Sequence, residues 1–507
     1  MKVIIIGSGL SGLTAGAYLS REGYEVIIYE QFSKIGGVTA TISQKGYMWD
    51  LGPLLLEGFA PHEKFGKVLS ELGLTDKITL INEDRGQSFP DFQIWKPEKY
   101  EGPYWRKNFI KKIFPSESDG LDRYYNFHDR MMSLLAISNQ LEWANGFKSI
   151  WLKLKIIPKF LKVKKMLKWN AAQVMDSFFK DPKLKAVYFG ILADFVVKPS
   201  EFIGLGVPVV NIETAFDKRI DLNIKGGKLP TYHYIKGGCG QLIQALANFI
   251  TAHKGKIVTE TLVEKIIIEN NRVKGIKLKD DEFKSADLVL ASGSAQKTFL
   301  DLVGTEYLSS DYIEHVKNLV RMQSVLMVHI GIDFDPTPYQ RAALCYYYLT
   351  YDIEEGVNRC RSGDYHEGKD GFLIYIPSLH SPEMAPDGKY AITVYTIAPD
   401  NLKEGSWVDR KEELGEKLLI EAEKIIPGLR ERAQTKIILT PDDFKSRINV
   451  NHHSFGGLAP IIGQQGPSHR TPIRGLYFIG SQSESGGGVS GVVIGARKTI
   501  QMILKGK

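Results

Sequence analysis

The chain opens with Met1-Lys-Val-Ile-Ile-Ile-Gly7-Ser-Gly9-Leu-Ser-Gly12 and, after a helix-like stretch, continues to Val26-Ile-Ile-Tyr-Glu30. The order is apolar strand, glycine turn, helix, second apolar strand and acid, which is the fingerprint for binding a dinucleotide. Gly7 permits the tight turn, Gly9 lets the backbone approach a pyrophosphate, and Gly12 lets the helix pack closely on the strand. The N-terminus of this helix, near Ser11, then faces the phosphates.

Glu30 identifies the kind of dinucleotide. It ends the second apolar run, 18 residues after Gly12, where a carboxylate accepts hydrogen bonds from a ribose 2′-hydroxyl and disfavours a 2′-phosphate. A flexible turn is the plain alternative for the glycines, but strand, helix and acid all fall where dinucleotide binding needs them. A signal peptide is not expected, because the glycines interrupt the apolar run and Arg21-Glu22 follows closely. The sequence therefore predicts an unphosphorylated adenine dinucleotide.

Composition limits the classes of protein that fit. The 507 residues allow two or three domains, and 43% hydrophobic and 11% aromatic residues suit a globular protein with an apolar pocket or tunnel. Lys and Arg total 65 against 58 Asp and Glu, and this net charge of +7 is too small for a nucleic-acid protein unless it is concentrated. The three cysteines are too few and too irregularly spaced for a disulfide framework or a zinc site. We therefore expect no metal site, no nucleic-acid partner and a reducing, cytoplasmic setting.

The rest of the chain predicts further strands and helices in an interleaved order. A glycine turn at 237–240 opens an amphipathic helix to about Ala252, and 263–278 reads as a hairpin with its turn at Asn270-Asn271. Residues 286–292 form a short apolar run typical of a buried parallel strand. The segment 301–442 alternates strands such as 326–333 and 391–396 with a helix near 411–426, and the chain ends with a strand at 475–480, a glycine turn and a helix to Ile503.

Several motifs together resemble the flavin-dependent oxidoreductases of the phytoene desaturase and carotenoid isomerase family, which belong to the amine-oxidase-like flavoprotein superfamily. Besides the opening fingerprint, the matching motifs are Gly36-Gly37, Asp50-Leu-Gly52-Pro53, Lys236-Gly-Gly-Cys-Gly-Gln, and Gly475-Leu-Tyr-Phe-Ile-Gly480 followed by Gly486-Gly-Gly-Val-Ser-Gly491. The last of these is the most specific, since the family has a similar glycine-rich turn at its C-terminal end.

The resemblance implies FAD as the cofactor. The positions that match the family's FAD-binding residues are Gly7, Ser8, Gly9, Ser11, Gly12, Glu30, Lys34, Gly36, Gly37, Val263, Gly480, Ser481, Gly488 and Val489. Gly488 and Val489 would place the N-terminus of the last helix at the pyrimidine edge of the flavin, where a reduced flavin carries negative charge. Two positions depart from the family pattern. Val38 replaces a basic residue, which leaves phosphate neutralisation to Lys34 or to backbone, and Ser481 replaces an Asp.

The expected fold class is α/β, with a Rossmann-like FAD-binding domain interleaved with a mixed-sheet substrate domain and a helical, membrane-facing region. The expected FAD-binding segments are 1–85, 226–300 and 443–507. The expected helical region is 86–225, and the second part of the substrate domain is 301–442. The opening segment is the only complete fingerprint of strand, GxGxxG turn, helix, second strand and acid, so a separate NAD(P)H domain is not expected and the electron acceptor stays open.

The positive charge is concentrated between Ala144 and Met175, a stretch with no Asp or Glu. Eight lysines lie between Lys148 and Lys168, and Ile150, Leu154, Ile157 and Leu161 recur at helical spacing. The pattern is typical of a membrane-surface helix, kinked at Pro158, with lysines among anionic headgroups. An ordinary amphipathic helix with a solvated lysine face is the alternative. We expect peripheral membrane contact through 148–169, and no segment apolar enough to span a bilayer.

The catalytic residues are not identified by any motif. Glu484, His452, His453 and Arg470 lie near the flavin end of the chain and are weak candidates for acid, base or electrostatic roles. We favour the alternatives, which are a turn role for Glu484 and a surface loop for the paired histidines. Tyr346-Tyr-Tyr-Leu-Thr-Tyr351 either lines an apolar tunnel or packs as an aromatic strand.

The resemblance implies an FAD-dependent oxidoreductase that acts on carbon-carbon bonds of a long polyprenoid or carotenoid, with a phytoene-desaturase-like dehydrogenase as the leading interpretation. A cis-trans isomerase or double-bond reductase that uses reduced FAD, an amine oxidase, and a flavin-binding protein without turnover remain as alternatives.

Overall fold

The computed structural model describes residues 1–52, 54–224 and 226–506, and the side chains of these residues except 192–194. Pro53, which ends one of the quoted motifs, lies outside the described residues. The strands are Lys2–Ile6 (β1), Glu25–Tyr29 (β2), Thr41–Gln44 (β3), Tyr47–Asp50 (β4), Leu56–Glu57 (β5), Leu80–Ile81 (β6), Arg85–Ser88 (β7), Gln93–Ile94 (β8), Asn223–Ile224 (β9), Gly227–Lys228 (β10), Tyr232–Ile235 (β11), Lys256–Val258 (β12), Val263–Glu269 (β13), Arg272–Leu278 (β14), Phe283–Ser285 (β15), Leu288–Ala291 (β16), Ser324–Ile332 (β17), Leu344–Tyr348 (β18), Gly371–Tyr375 (β19), Tyr390–Ala398 (β20), Ala433–Leu439 (β21) and Leu476–Phe478 (β22). The α-helices are Leu10–Arg21 (α1), Lys64–Glu71 (α2), Trp105–Ile113 (α3), Ser118–Leu141 (α4), Gly146–Leu161 (α5), Ala171–Asp176 (α6), Pro182–Phe189 (α7), Val207–Val210 (α8), Gly240–Ala252 (α9), Ser310–Lys317 (α10), Ile353–Arg361 (α11), Trp407–Glu423 (α12), Pro441–Ile448 (α13) and Gly488–Lys505 (α14).

A five-stranded parallel sheet has the order β12-β2-β1-β16-β22. Its central strands are apolar on both faces because both faces are covered. The helices α1, α9 and α14 pack together on one face, and the small antiparallel sheet β13-β14-β15 contacts the other. The strand order reverses direction at β1 and β16, and the crevice at such a switch point is where open α/β sheets bind ligands.

The second large sheet is mixed and has the order β21-β17-β20-β19-β18-β7-β8. All its pairs are antiparallel except β18 with β7, which run parallel. It draws on residues 85–94 as well as on 324–439, so the expected helical region at 86–225 also contributes strand residues to this sheet. Helix α12 covers one face of this sheet. The mixed α/β class is confirmed.

The predicted hairpin at 263–278, the parallel strand near 288, the helix from the glycine turn to Ala252 and the C-terminal helix are all present. The apolar and basic segment differs from its prediction. Helix α5 contains Pro158 but ends at Leu161, and a short 3-10 turn at Lys164–Met166 follows it. The predicted helix with Pro158 inside it is present, but it covers only part of the stretch 148–169. Proline removes a backbone hydrogen bond and crowds the preceding turn, so a helix extends only a short way beyond it.

None of the helices in the described part of the chain combines the length and the apolar character needed to cross a bilayer.

Candidate functional site

One large cavity runs between the two sheets, with an empty volume of about 2680 Å³ including its open mouth. One part, the glycine end, is lined at the carboxyl ends of the parallel strands by Gly7, Gly9, Glu30, Gly36, Gly37, Val263 and Ser292. The other part, the aromatic end, is lined by Arg85, Ile191, Phe195, Val210, Tyr232, Leu344, Tyr346, Leu373 and Tyr395. The cavity is therefore continuous from the strand-turn-helix unit to the mixed sheet.

Close backbone packing shapes the opening turn at the glycine end. A Cβ atom on Gly12 would lie 2.1 Å from the carbonyl oxygen of Gly7, so no other residue fits there. Gly7 itself has φ of +94°, which favours glycine. A Cβ on Gly9, in contrast, would meet nothing within 4 Å, because Gly9 faces the cavity. Gly7 and Gly12 therefore serve the turn and its close packing, and Gly9 leaves its backbone open to the cavity.

Two helix N-termini point their first turns at this cavity. The N-cap residue is Gly9 in helix α1 and Gly487 in helix α14. Because glycine has no side chain, neither cap residue can accept a hydrogen bond from the first N–H groups through a side chain. The first N–H groups of a helix need acceptors from outside, so these termini are ready to bind anionic groups. Gly488 and Val489 line the cavity beside the second terminus.

Glu30 is buried at the end of β2 and lines the cavity. One oxygen accepts hydrogen bonds from the backbone N–H and the hydroxyl of Ser8, at 2.9 and 2.7 Å, and the other accepts from the N–H of Phe32 at 2.8 Å. These bonds fix the carboxylate with lone pairs left to accept from a ribose hydroxyl.

A cation that sequence reasoning missed lies in the same wall. Arg447, near the end of α13, donates from Nε to the carbonyl oxygen of Gly37 at 2.7 Å, and its buried Nη2 has no partner among the described residues. Burial lowers its pKa from the ordinary arginine value. Lys34, which we proposed for phosphate neutralisation, is exposed and does not line the cavity.

The remaining predicted FAD positions are placed as follows. Val263 and Ser481 line the cavity. Gly480 is buried behind it, where a Cβ would lie 2.2 Å from the carbonyl oxygen of Gly293.

Two of the quoted motifs meet in one buried brace. Asp50 Oδ1 accepts from the Thr41 hydroxyl at 2.6 Å and from the backbone N–H of Cys239 at 2.8 Å. Burial raises the pKa of Asp50 to about 6. The Asp50 motif and the Lys236–Gln241 turn therefore hold each other, and their glycines serve close packing.

Arg85 is the main polar group of the aromatic end. Its side chain is 3% exposed and lies over the rings of Phe216, Tyr232 and Tyr346 at 4.6, 5.6 and 5.8 Å. One Nη2 hydrogen goes to the carbonyl oxygen of Val210 at 3.1 Å, and the buried Nε has no partner among the described residues.

Glu57 lies in the cavity wall between the two ends. Its side chain is accessible because it opens onto the cavity, but protein surrounds the side chain on its other sides. The resulting loss of hydration raises the pKa of Glu57, and Lys64 opposes this with a smaller effect. The carboxylate accepts no hydrogen bond from the described residues. Its own backbone oxygen accepts from the hydroxyl of Ser490, in the first turn of α14, at 3.1 Å. Glu57 is thus adjacent to the glycine-rich C-terminal turn.

The catalytic candidates from the sequence separate into two pairs. His452 and His453 line the cavity. His452 contacts Asp400 at 3.3 Å, and buried His453 pairs with the Ser324 hydroxyl at 2.6 Å, with burial lowering its pKa to about 3. Glu484 and Arg470 are exposed and do not line the cavity.

Glu484 accepts from Ser468 and from the His469 N–H, which makes it a brace of a surface turn. No local signal in the sequence marked Arg85. The only signal for Glu57 was a lone charge directly after the apolar residues 54–56.

The fold and the cavity are those of a dinucleotide-binding protein, and comparisons with known proteins identify its family. The model of the family "Flavin containing amine oxidoreductase" matches residues 10–503. Prolycopene isomerase 1 from an Oncidium hybrid cultivar is 24% identical over 507 residues, covering 96% of this chain and 81% of that protein. The lycopene-forming phytoene desaturase of a Paracoccus species is 23% identical over 513 residues, covering 99% and 97%.

Among solved structures, an oxidoreductase from Methanosarcina mazei has a TM-score of 0.63 and 22% identity, covering 99% of this chain and 100% of that one. The chain belongs to the flavin-containing amine oxidoreductase family, and its cofactor is FAD. The two uncapped helix N-termini, the fixed Glu30 carboxylate and the half-partnered Arg447 fit the anionic phosphates and the ribose of that cofactor.

Proposed function

We propose that this FAD-dependent oxidoreductase removes hydrogens from adjacent carbons of a long polyprenoid or carotenoid, as a phytoene-desaturase-like dehydrogenase. The observation that carries the proposal is the continuous cavity, whose aromatic end is lined mostly by apolar side chains. A cavity that reaches from the proposed cofactor site to the mixed sheet suits a long apolar chain, which needs positioning more than polar chemistry. Carotenoid-type relatives over nearly the whole chain support the same substrate class.

The proposed FAD contacts are the cavity-lining members of the predicted set, with Arg447 in place of Lys34 at the phosphates. The proposed FAD-binding segments remain 1–85, 226–300 and 443–507. They contain all five strands of the parallel sheet, which supports this division. Residues 86–225 and 301–442 then form the proposed substrate region.

Glu57 is the proposed proton acceptor. When bound, FAD supplies a two-electron acceptor that takes one hydrogen of the substrate as hydride. The second hydrogen leaves the adjacent carbon as a proton, and the Glu57 carboxylate faces the cavity with free lone pairs to accept it. Its raised pKa makes it a stronger base than an ordinary glutamate.

The test is anaerobic mixing of the FAD-loaded protein with phytoene, partly desaturated cis-carotenes or a panel of amines. Bleaching of the flavin absorbance together with a product two hydrogens lighter is the expected result with a carotene. Bleaching by amines alone would contradict the proposal. We expect the amines to fail, because the Arg85 guanidinium in the aromatic end repels an ammonium group.

A redox-neutral isomerase or a double-bond reductase is the second candidate, favoured by the match to a prolycopene isomerase. It predicts no bleaching by carotenes, and conversion of a cis-carotene only after chemical reduction of the flavin. The same mixing experiment with dithionite-reduced protein separates this candidate from the dehydrogenase.

We also propose that helix α5 docks on an anionic membrane surface. Its inner face packs on the protein through Leu152, while Phe147 and Leu154 are 81% and 63% exposed, with Ile150 and Ile157 beside them. The lysines at 148–168 form no ion pair with a described residue. An exposed apolar face edged by free lysines matches the acyl boundary and the anionic headgroups.

Sedimentation with vesicles tests this docking. Wild-type protein is expected to bind phosphatidylcholine vesicles that contain phosphatidylserine, and to bind less as salt is raised. The double variant Leu154→Glu/Ile157→Glu should lose the binding. Val408→Glu, at a 72% exposed apolar position on α12, is the matched control and should keep it. Equal binding by both variants would contradict the proposal.

A further inference from the structure

Two buried guanidinium groups lie against the ring of Phe216, and they differ in their other partners. Arg106 lies 4.1 Å from the Phe216 ring, and its Nη1 pairs with Glu213 at 3.1 Å. Arg85 lies 4.6 Å from the same ring, and no described carboxylate lies within ion-pair distance of it. The difference is that Arg85 lines the cavity.

A buried cation without an anion is costly, since hydrogen bonds and aromatic faces replace only part of its lost hydration. Arg85 has one bond to a backbone carbonyl and an unpartnered, buried Nε. A pure hydrocarbon substrate offers nothing to this group. An anionic group on the substrate would supply the missing counter-charge and hydrogen-bond acceptors of Arg85, because a guanidinium binds a carboxylate through two parallel hydrogen bonds.

Arg85 lies apart from the proposed FAD contacts. It begins β7 of the mixed sheet and donates to Val210 of α8, while the uncapped helix termini and Arg447 lie at the glycine end. The surroundings of Arg85 are apolar and aromatic, which suits the end of a long chain. A single guanidinium without a neighbouring lysine in the cavity wall around it matches one negative charge better than a diphosphate.

We propose that Arg85 binds the terminal carboxylate of a polyprenoid-type chain, so that the site prefers acid-ended polyprenoids to chains with an uncharged end. This inference rests on the proposed function for the nature of the chain. It adds a recognition site for one charged end, which fixes how far the chain enters and thereby which carbon-carbon bond lies beside the cofactor.

Binding measurements on the FAD-loaded protein test the proposal with matched probes. Geranylgeranoic acid and geranylgeraniol share one chain and differ in the charge of the end group, and their dissociation constants are measured by titration calorimetry and by perturbation of the flavin spectrum. The acid is expected to bind roughly ten- to a hundredfold more tightly to the wild type. Arg85→Gln should abolish the preference, Arg85→Lys should keep part of it, and exposed Arg341→Gln should leave it unchanged.

Several results would overturn the inference. These are equal binding of acid and alcohol by the wild type, no binding of either, a preference that survives in Arg85→Gln, and tighter binding of geranylgeranyl diphosphate than of the acid. Loss of flavin from Arg85→Gln would show that the residue serves the cofactor instead. The comparison of the two probes on wild-type protein does not depend on any variant folding. Acid preference without flavin reduction by any polyprenoid would keep the carboxylate site and overturn the proposed function, so the two failures are distinguishable.

Discussion

The glycine end and the aromatic end of the cavity are built in different ways. At the glycine end, backbone groups form most of the cavity wall, in turns such as 7–12 and 486–488 that are continuous in sequence. At the aromatic end, side chains converge from segments as far apart as Arg85, Val210 and Tyr346. A site made by backbone turns leaves a pattern in the sequence, whereas a site made by converging side chains depends on the tertiary fold.

The largest expected effect separates chemistry from cofactor binding. Glu57→Gln is expected to lower kcat by about 10²- to 10⁴-fold, because a positioned base contributes that much, while flavin content stays at the wild-type level. Stopped-flow flavin reduction and the flavin-to-protein absorbance ratio measure the two quantities. Glu484→Gln, in the exposed turn, is the matched control and should change neither.

The pH dependence follows from the same residue. Glu57 acts as a base only when deprotonated, and burial raises its pKa, so turnover should fall as pH decreases through a value above that of an ordinary glutamate. Lys64 opposes this shift, and Glu63 and Tyr232 are the other titratable groups coupled to it. Glu57→Gln should remove this acid limb. An unchanged limb in the variant would assign it to another group.

Two substitutions at the glycine end are expected to have different effects, one on protein stability and the other on flavin binding. Gly12→Ala places a Cβ against the Gly7 carbonyl, and we expect a loss of about 3 kcal/mol or more in the free energy of unfolding, from overpacking against rigid backbone. Gly9→Ala meets no protein atom, so the flavin-free protein should unfold as the wild type does while flavin is lost. Urea unfolding and flavin content measure both. Retained flavin in Gly9→Ala would contradict the close approach of cofactor at Gly9.

Arg447 tests whether a side chain also contributes to cofactor binding at the glycine end, because it lines that end but lies in none of its turns. Arg447→Met should weaken FAD binding by about 1.5–3 kcal/mol, the range for a hydrogen bond to a charged group. Lys34→Met should leave the affinity unchanged, since Lys34 is exposed outside the cavity wall. The dissociation constant of FAD from reconstituted apoprotein provides the measurement. The reverse ranking of the two variants would restore the assignment made from sequence.

Much of the fold was predictable because its signals are local. The strands of the parallel sheet are apolar runs between glycine turns, and the hairpin at 263–278 has its turn residues at Asn270 and Asn271, both with positive φ. Strands β7 and β8 were missed, since a polar run such as Arg85–Ser88 has no strand periodicity and becomes buried only by pairing with β18. The sequence did not indicate where α5 ends, because a helix after proline continues or stops according to its packing.

The residues of the candidate site also differ in whether a local sequence signal marks them. The positions at the turns could be predicted, since glycine is required wherever a Cβ would strike backbone, as at Gly12 and Gly480. Arg447 and Glu57 could not, because neither lies in a motif and each acquires its role from what the fold places beside it, the Gly37 carbonyl in one case and the first turn of α14 in the other.

The smallest expected effect lies where the C-terminal glycine turn contacts the strand that carries Glu57. Ser490, in the first turn of α14, donates its hydroxyl to the backbone oxygen of Glu57, and one such bond contributes about 0.5–1.5 kcal/mol. Ser490→Ala should therefore reduce the rate of flavin reduction by about two- to tenfold without changing flavin content or the pH of the acid limb. Ser468→Ala, which loosens Glu484 at the surface, should leave the rate unchanged. A rate unaffected by Ser490→Ala would mean that β5 holds Glu57 in place through its pairing with β11 alone, and that α14 positions the cofactor independently of the base.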